Sequence, residues 1–520
     1  MQRQALLERL VNAGVMTAGE AVRAADAGRR PAAQPSRRSF DSAQVSLLTS
    51  SWTTVTKPID ADIRNSLRRL RARSRHEAQN NDYVRRFLGL VKTNVVGPNG
   101  IVMQPRIIDP AGNPDPVAGD AILEAWKEWG RKGTPEVTGR LSWKMIQRQF
   151  IETLARDGEV LIRKYRKWSG NRFRFALQFL DPEVLDVNLN RELQNGNVVR
   201  MGVEMNALRR PVAYHVAISK PSAHGDDYVF NGRRYERIPA TEIIHEYLPE
   251  WVWQTRGVPW VTAGLLRLNM LGGYEEAELV ASRASAAKFA VYEKVDDEAP
   301  TMNPGAAADD EQAGTFIQDF DSGTVEISPE GYRLNLIDPQ HPNSAYKDFV
   351  KTCLRGIASG LGVNYNSLAN DLEGVNYNSL RKGALDERDV WTTLQDWMVE
   401  AFCRPVYEDW LDRVLMQGEI TIAGKPLKLE RRENYLRVLW QPRRWQWVDP
   451  LKELNAHKVA LDQKLRSPQS IIREMGYDPQ TVLEEWTEWQ QQLDALGLTM
   501  ASDGGDMMAA QENTNEQQQD

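Results

Sequence analysis

The chain is poor in the residues from which disulfide and metal sites are built. Only two of its 520 residues are cysteines, Cys353 and Cys403, and only six are histidines. Two cysteines cannot form a disulfide framework or a four-cysteine zinc site. The sequence therefore indicates a reducing compartment, argues against most metal enzymes, and predicts neither a metal nor a cofactor.

Long apolar runs are also lacking. The longest stop well short of the roughly 18–20 residues that a membrane-spanning helix needs. The first ten residues, MQRQALLERL, carry charges within their apolar stretch, whereas a secretory signal has an uninterrupted apolar segment. We therefore expect no membrane association and no export. With 41% hydrophobic and 26% charged residues, the composition is typical of globular chains.

The short motifs that commonly mark enzymes are absent as well. The chain has no GxxxxGK[ST] phosphate loop, no HExxH zinc motif and no GxSxG nucleophile elbow. His215 and His245 lie in strand-like segments, where a hydrogen-bonded core histidine is the favoured interpretation. Glu275, Glu276 and Glu278 are predicted to form a solvated helix face rather than a metal site. Catalytic groups can lie far apart in sequence, so the missing motifs leave an enzyme unsupported rather than excluded, and we predict a protein that is not an enzyme.

Charge is present but unevenly distributed. The net charge is −6, yet residues 1–110 hold about twice as many basic as acidic side chains, and no lysine or arginine follows Arg473. This polarity indicates different partners for the two ends, or two solvated tails. Six arginines between Arg64 and Arg75 lie on one predicted helix. They fit either a phosphate-binding stripe or ion pairs between subunits, and the acidic chain favours the second slightly.

The hydrophobic pattern predicts an α+β protein. The predicted helices cover residues 60–96 with a break at Asn80-Asn81, then 120–158, 259–290, 344–361 and 380–416. Pro405 should kink or interrupt the last of these helices. Residues 159–248 predict a mainly antiparallel sheet in which Asn231-Gly232 is typical of a hairpin turn. Short strands are predicted at 324–327 and 332–337. A flexible arm (1–39) and a disordered tail (497–520) have too little apolar surface to offset chain entropy.

The clearest internal repeat is a heptapeptide, GVNYNSL, at residues 362–368 and again at 374–380. Glycine and asparagine favour turns, so the repeat predicts a loop rich in side-chain amides, hydroxyls and tyrosine rings. Taken by itself, an Asn-rich structural turn with a chance local duplication explains it better.

A series of short motifs runs in order along the chain. They are LRARSR at 70–75, NN at 80–81, NVVG at 94–97, GE at 158–159, GVE at 202–204, RPVAYH at 210–215, IPA at 238–240, RGVP at 256–259, GVNYNS at 374–379, WL at 410–411 and WVDP at 447–450. In this order, over roughly residues 40–485, they resemble the lambda-like portal proteins of tailed bacteriophages. Each motif is weak alone, and the order makes the resemblance specific.

The chain departs from this family pattern at a few places. The turn at residues 97–100 is slightly longer than usual, and the first copy of the repeat is the less similar one. Asn206 and Arg209 stand where Asp and Gly are expected, so the hairpin turn there should differ. The stretch Glu-Trp-Val-Trp at 250–253 replaces a more polar, glycine-containing one.

The resemblance implies a portal fold, with an α/β wing, a helical stem, a small α/β clip, a tunnel loop, a long kinked helix and a helical crown. About twelve subunits form a ring at one capsid vertex, and DNA passes through it. The implied regions are the wing (40–257), the first stem helix (258–290), the clip (291–342), the second stem helix (343–361), the tunnel loop (362–379), the long helix with the rest of the wing (380–448) and the crown (449–496).

The same resemblance implies partners and sites. The partners are double-stranded DNA, the major capsid protein, the terminase large subunit, a head–tail adaptor, and a scaffold or protease. The implied location is the portal vertex of the virion, after assembly in the host cytoplasm. Acidic residues of the clip, Asp309, Asp310 and Glu311, are candidates for partner docking. The residues implied to face DNA in the tunnel loop are Asn364, Tyr365, Asn366, Asn376, Tyr377 and Asn378.

Two other classes of protein are weighed against the portal. Another virion structural protein, such as a head–tail adaptor or a tail hub, would be oligomeric but would lack the stem, clip and tunnel loop. A nuclease acting on packaged DNA would need clustered carboxylates that bind a metal.

Overall fold

A computed structural model describes residues 2–17, 19–20, 53, 55–218, 234–286, 289–294, 332–337, 346–374, 376–445 and 450–496. The chain divides into two compact units, Met1–Pro58 and Ile59–Asp520. Helix α1, Gln2–Asn12, belongs to the first unit. The elements described below belong to the second.

Four helices form the first part of the second unit. They are α2 (Ile59–Asn80), α3 (Asp82–Val91), α4 (Pro116–Trp129) and α5 (Trp143–Asp157). Asn81 separates α2 from α3, because its side chain accepts hydrogen bonds from the backbone N–H groups of Tyr83 and Val84 at 3.0 and 3.2 Å. The predicted break at Asn80-Asn81 and both predicted helix pairs are confirmed. A π-helical turn, Lys92–Val96, follows α3.

Tryptophans form the centre of the largest core. The ring of Trp126 lies 4.8 Å from that of Trp129, 5.0 Å from Trp410 and 5.3 Å from Trp143, measured between centroids. Most of these pairs are tilted or edge-on, which is the favoured geometry for aromatic contacts. The rings come from α4, from α5 and from a helix near residue 410, so this cluster ties distant segments into one core.

The strand-like region folds into two antiparallel sheets. A three-stranded sheet has the order β3 (Ala176–Leu180), β2 (Val160–Tyr165), β9 (Ile243–Glu246). A five-stranded sheet runs in chain order through β4 (Arg191–Glu192), β5 (Val198–Arg200), β6 (Val203–Met205), β7 (Pro211–Ala217) and β8 (Tyr235–Pro239). The predicted antiparallel sheet is confirmed. The Asn231-Gly232 turn lies outside the described residues.

The turn before β7 does contain a departure from the usual pattern. Arg209 has a φ of 63°, a conformation that glycine adopts more readily. The side chain of Asn206 supports the turn by accepting hydrogen bonds from the backbone N–H groups of Leu208 and Arg210 at 3.0 and 2.9 Å.

Buried polar side chains meet in what we call the Glu159 cluster, which consists of Arg71, Glu159, His245 and Arg256. The Glu159 carboxylate accepts hydrogen bonds from Arg71 at 2.7 Å, from Arg256 at 2.8 Å and from the ring of His245 at 3.0 Å. Burial raises the pKa of Glu159, but the charges of Arg256 and Arg71 and the bond from His245 outweigh it and hold the pKa well below its usual value. The cluster joins α2, β2 and β9 to the segment that leads into the next helix.

The arginine-rich helix therefore points two of its arginines inward. Arg71 is only 1% exposed and pairs with Glu159, while Arg75 pairs with Asp157 and Asp181, both at 2.8 Å. For these two residues the phosphate stripe and the pairs between subunits are both wrong, because their partners are within the same chain. His245 at Glu159 and His215, 3.0 Å from Glu204, confirm the predicted hydrogen-bonded core histidines.

The RGVP motif forms a close-packed joint after the Glu159 cluster. A Cβ atom on Gly257 would lie 2.0 Å from the backbone oxygen of Gly158, so only glycine fits. A 3₁₀ turn, Trp260–Ala263, then leads into α6 (Leu265–Ala286).

Two paired strands follow α6. Strands β10 (Phe289–Lys294) and β11 (Tyr332–Ile337) are antiparallel, with Phe289 opposite Ile337. The predicted strand at 332–337 is confirmed, while that at 324–327 lies outside the described residues. Helix α7 (Tyr346–Leu361) follows, close to the bounds predicted for it.

The long predicted helix is interrupted as expected. It consists of α9 (Tyr377–Met398), a π-helical turn (Val399–Cys403) and α10 (Arg404–Gln417), with Pro405 in the first turn of α10. A short helix, α8 (Tyr365–Ala369), precedes it. No helix in the described ranges is long and apolar enough to cross a membrane.

The remaining elements lie mainly in the C-terminal part of the chain. They are β12 (Thr421–Ile422) paired with β13 (Lys425–Pro426), α11 (Arg432–Tyr435), β14 (Val438–Gln441) paired with β1 (Val102–Pro105), and the helices α12 (Pro450–Asp462), α13 (Pro468–Glu474) and α14 (Pro479–Ala495).

Candidate nucleic-acid interface

Each copy of the repeat starts a helix. Asn364 precedes α8 and Asn376 precedes α9, so in both copies the Tyr-Asn-Ser-Leu portion is helical. The prediction of a loop through the whole repeat is therefore wrong. Asparagine is favoured immediately before a helix, and the burial of Leu368, which is 2% exposed, adds packing that isolated turn propensities do not include. The connection between α8 and α9 remains non-helical.

The first copy is bound to α9 by polar side chains. The side-chain amide of Asn364 donates to the backbone oxygen of Gly383 and, at 2.9 Å, to the carboxylate of Glu387. The hydroxyl of Ser367 donates to the same carboxylate at 2.8 Å. Because Glu387 is only 7% exposed, these bonds are protected from water, and Asn364 holds the shape of the loop.

Tyr365 is held in a similar way. Its hydroxyl donates to Asp371 at 2.7 Å, and the guanidinium of Arg355 lies 5.5 Å from the centre of its ring. Burial and the hydrogen bond to Asp371 raise the pKa of Tyr365 to about 12. The same bond, with those from the Glu373 backbone and Lys351, lowers the pKa of Asp371 to about 2.

A ladder of partly buried and exposed ion pairs connects α7 to the segment between α8 and α9. We call this the α7 ladder, and it consists of Lys347, Lys351, Asp371 and Glu373. Lys347 lies 2.7 Å from Glu373, and Lys351 lies 3.1 Å from Asp371 and 3.7 Å from Glu373. Residues four apart share one face of a helix, so the two lysines, continued by Arg355, form a basic stripe that the acidic segment covers.

These contacts surround a polar cavity of about 530 Å³, lined by both copies of the repeat and by α7. Asn366 and Asn376 line it together with Lys351 and Arg355. Such a lining offers uncharged donors and acceptors from the repeat, cations from α7, and the carboxylates of Asp371 and Glu373, which pair with Lys351. Phosphate oxygens and base edges accept hydrogen bonds from the uncharged donors and from the cations.

The six residues implied to face DNA thus fall into different environments. Asn364 and Tyr365 bond within the chain, Asn366 and Asn376 line the cavity, and for Tyr377 and Asn378 the described part is the backbone of the first turn of α9. The candidate docking residues Asp309, Asp310 and Glu311 lie outside the described residues.

Sequence reasoning did not find the basic residues of α7. Their signal was present, since Lys347, Lys351 and Arg355 recur at a spacing of four, but nothing local distinguishes such a stripe from a solvated helix face. Within the described ranges there is no group of three or more His, Cys, Asp or Glu side chains placed to hold a metal ion.

The family model described as phage portal protein, lambda family, matches residues 46–395. The probable portal protein of Halomonas phage phiHAP-1 is 35% identical over 479 residues, which covers 90% of each chain. Portal protein B of Escherichia phage lambda is 21% identical, covering 86% of this chain and 88% of that one.

Solved structures give a weaker likeness. One is the neck of an empty GTA particle, with 12% identity, a TM-score of 0.40, and coverage of 80% of this chain and 95% of the other. Another is the neck of a native GTA particle computed with C12 symmetry, with 12% identity, a TM-score of 0.39, and coverage of 80% and 94%.

Proposed function

Since the chain belongs to the lambda family of phage portal proteins, we propose that it assembles into a ring of about twelve copies through which double-stranded DNA enters and leaves a capsid. The observation that carries the proposal is the family match over residues 46–395, which includes the repeat and most of α9. The portal family is structural, which agrees with a function that is not enzymatic.

The regions of the portal subunit are assigned here as a proposal. Residues 40–257 and 380–448 form the wing with its long helix, α6 and α7 form the stem, 291–342 the clip, 362–379 the tunnel loop and 449–496 the crown. The break between α6 and β10 supports this division, because the chain leaves a helix, forms a paired strand and returns to a helix at α7.

We assign the two copies of the repeat different tasks. The first copy anchors the tunnel loop, because Asn364 and Tyr365 are engaged with Glu387 and Asp371. Asn366 and the second copy (Asn376, Tyr377 and Asn378) contact the duplex. Contacts through uncharged groups release few counterions, so they hold DNA weakly and let it slide. An acidic chain, with a net charge of −6, favours passage further by repelling phosphates from the rest of the wall.

The partners follow from the same role. The ring would contact the major capsid protein at the portal vertex, the terminase large subunit during packaging, and a head–tail adaptor afterwards. A scaffold or protease would act during assembly, in the host cytoplasm. The acidic residues Asp309, Asp310 and Glu311 would contribute to docking at the clip, and reversing their charges should lower the affinity for terminase or adaptor.

The direct test is imaging of the purified protein by negative-stain electron microscopy, with native mass spectrometry of the same sample. Rings with a central hole and about twelve subunits are expected. A stable small oligomer without a hole would overturn the proposal and would favour a head–tail adaptor or tail hub instead.

A further inference from the structure

Helix α14 leaves the middle of its apolar face uncovered. Five apolar residues share this face because they recur at spacings of three and four: Pro479, Leu483, Trp486, Trp489 and Leu493. The first and the last are buried, whereas Leu483, Trp486 and Trp489 between them are 60%, 56% and 50% exposed. Since a helix of this length depends on packing of such a face, α14 needs a partner beyond the described part of its own chain.

The apolar face of α14 has an acidic border. Residues 474–496 contain six carboxylates and neither lysine nor arginine. Glu485 borders the face, because it precedes Trp486 by one residue, or about 100° around the helix, whereas Glu488 lies about 200° from Trp486 on the opposite side. Packing two copies of α14 face to face would bring carboxylates together, so this face favours a basic partner over a second α14.

The surface of α12 has the complementary composition. Residues 450–473 contain five lysines and arginines but only two carboxylates. Ala456 lines a cavity against α9, and Leu454 and Lys458 each lie about 200° around the helix from Ala456. Leu454 is 57% exposed, and Lys458 is exposed as well. The side of α12 that faces away from α9 therefore presents an apolar and a basic side chain together.

Part of this positive charge is used within the chain. Arg466 pairs with Glu474, and the exposed Asp462 shares the face of Lys458 because it lies four residues further along. Lys464, just after α12, is exposed as well. Among the described side chains, this side of α12 therefore keeps two lysines against one carboxylate.

A ring closes through contacts between two different surfaces of the same chain. We propose that α14 of one copy packs in the ring on α12 of the next, with Trp486 over Leu454 and the exposed Val459, and with Glu485 beside Lys458. The proposal rests on the ring proposed above and names a contact that would close it. A tryptophan covered at the centre of a contact, with charged side chains at its rim, is the usual composition of a strong interface.

The first test reverses charges in the full chain and measures, by mass photometry, the protein concentration at which half of the chain is in rings. Glu485→Lys and Lys458→Glu should each raise this concentration several-fold, because an attraction becomes a repulsion at every contact. The double variant E485K/K458E restores opposite charges and should assemble close to the wild type. The matched control Glu488→Lys makes the same change on the opposite side of α14 and should leave assembly unchanged.

Recovery in the double variant separates loss of the contact from loss of the fold, and thermal unfolding of each variant monitors the fold directly. Single variants that assemble like the wild type, or a double variant that assembles no better than the single ones, would overturn the proposal. An equal effect of Glu488→Lys would also overturn it, because the effect would then belong to the net charge of the chain.

A second measurement identifies what covers Trp486. The photoreactive amino acid p-benzoylphenylalanine replaces Trp486, and rings are assembled from an equal mixture of isotope-labelled and unlabelled chains. Irradiation should join position 486 to residues 450–465 in peptides that combine both isotopes. Links between two copies of α14 would assign the face to a second α14, and links confined to one isotope would assign it to the same chain. Either result, or the absence of links, would overturn the proposal.

Failure of this inference and failure of the proposed function give different results. If the proposed function itself fails, the wild-type chain forms no rings at any concentration. If only this inference fails, the wild type forms rings, and either the charge-reversed variants assemble as it does or position 486 is linked to residues outside α12 and the segment after it.

Discussion

Two ion-pair systems in this molecule use the same chemical groups in opposite ways. In the Glu159 cluster the charged side chains of Arg71, Glu159 and Arg256 are at most 1% exposed. In the α7 ladder, Lys347 and Glu373 are 61% and 67% exposed. A buried charge that loses its partner has no water to replace it, whereas an exposed charge has.

This difference in burial distinguishes a cluster whose contacts must stay in place from a ladder whose contacts can exchange with solvent. The Glu159 cluster connects α2, the start of β2, and β9 to the joint that leads into α6, and loss of one charge there leaves its partners buried and unpaired. The α7 ladder keeps the acidic segment 371–373 over a basic stripe and contributes little to the free energy of unfolding. Water and counterions can replace its carboxylates, so the segment between α8 and α9 is held by contacts that are readily exchanged.

The substitution Glu159→Gln tests this comparison with the largest expected effect on stability. The variant leaves Arg71 and Arg256 charged and buried beside a neutral amide, so we expect a loss of about 3–5 kcal/mol in the free energy of unfolding. Urea denaturation measures it. The control Glu152→Gln alters a half-exposed pair with Lys92 and should cost less than about 1 kcal/mol. Similar losses in both variants would show that burial does not distinguish the two kinds of pair.

Glu246, next to His245 on β9, tests the effect of burial through the pH dependence of the free energy of unfolding. Burial raises its pKa to about 7 from 4.5. Because its folded-state pKa is raised, its stabilising contribution is complete below about pH 4.5 and is lost as the pH rises through 7. Glu246→Gln should remove this loss and stabilise the protein at pH 8.5 by on the order of 2–3 kcal/mol. Urea denaturation at pH 5 and pH 8.5 checks it, and a variant with the wild-type difference between the two pH values would contradict it.

The α7 ladder is tested by D371N/E373Q. We expect a change of about 1 kcal/mol or less in global stability, because the pair of Lys347 with Glu373 is exposed and that of Lys351 with Asp371 is only partly buried. Hydrogen exchange of the backbone amides at 370–376 should become several-fold faster, because the segment is released from α7. The control D120N/E124Q removes two exposed carboxylates from α4 and should leave exchange at 370–376 unchanged. Unchanged exchange in D371N/E373Q would mean that the ladder does not hold the segment.

The smallest effect on stability is expected for Y377A/N378A in the second copy of the repeat. Ring assembly and unfolding should match the wild type, while DNA packaging or retention falls. The matched variant Tyr365→Ala removes the bond to Asp371 and should instead speed hydrogen exchange in the loop. Normal packaging by Y377A/N378A rings would contradict the assignment of the second copy to DNA.

The order of elements and the family were predictable from the sequence, because both depend on local motifs and on periodicity. The sequence did not show which charged side chains point into the protein. Arg71 meets Glu159 across 88 residues, and the periodicity of α2 does not indicate which arginines turn inward. The convergence of tryptophans from α4, α5 and α10 is likewise visible only in the tertiary structure.

The repeat illustrates the same limit at short range. Its Gly and Asn residues indicated turns correctly at the start of each copy, but the helical Tyr-Asn-Ser-Leu portion depends on contacts made elsewhere. Leu368 packs into the main core, and Asn364 and Ser367 bind a glutamate on the following helix. Because the two heptapeptides are identical in sequence, their sequences cannot predict their different environments.

The helical path from Tyr377 through the π turn to Gln417 has a mechanical consequence. Its backbone stays helical through the junction at Arg404, so about 60 Å of helical rise joins its two ends at 1.5 Å per residue. One end begins in the second copy of the repeat, and the other carries Trp410 into the tryptophan core. Prolines and π-helical turns are the places where helices bend, so the π turn and Pro405 together mark the bend in this path. A displacement of the repeat would therefore reach the tryptophan core only through this bend.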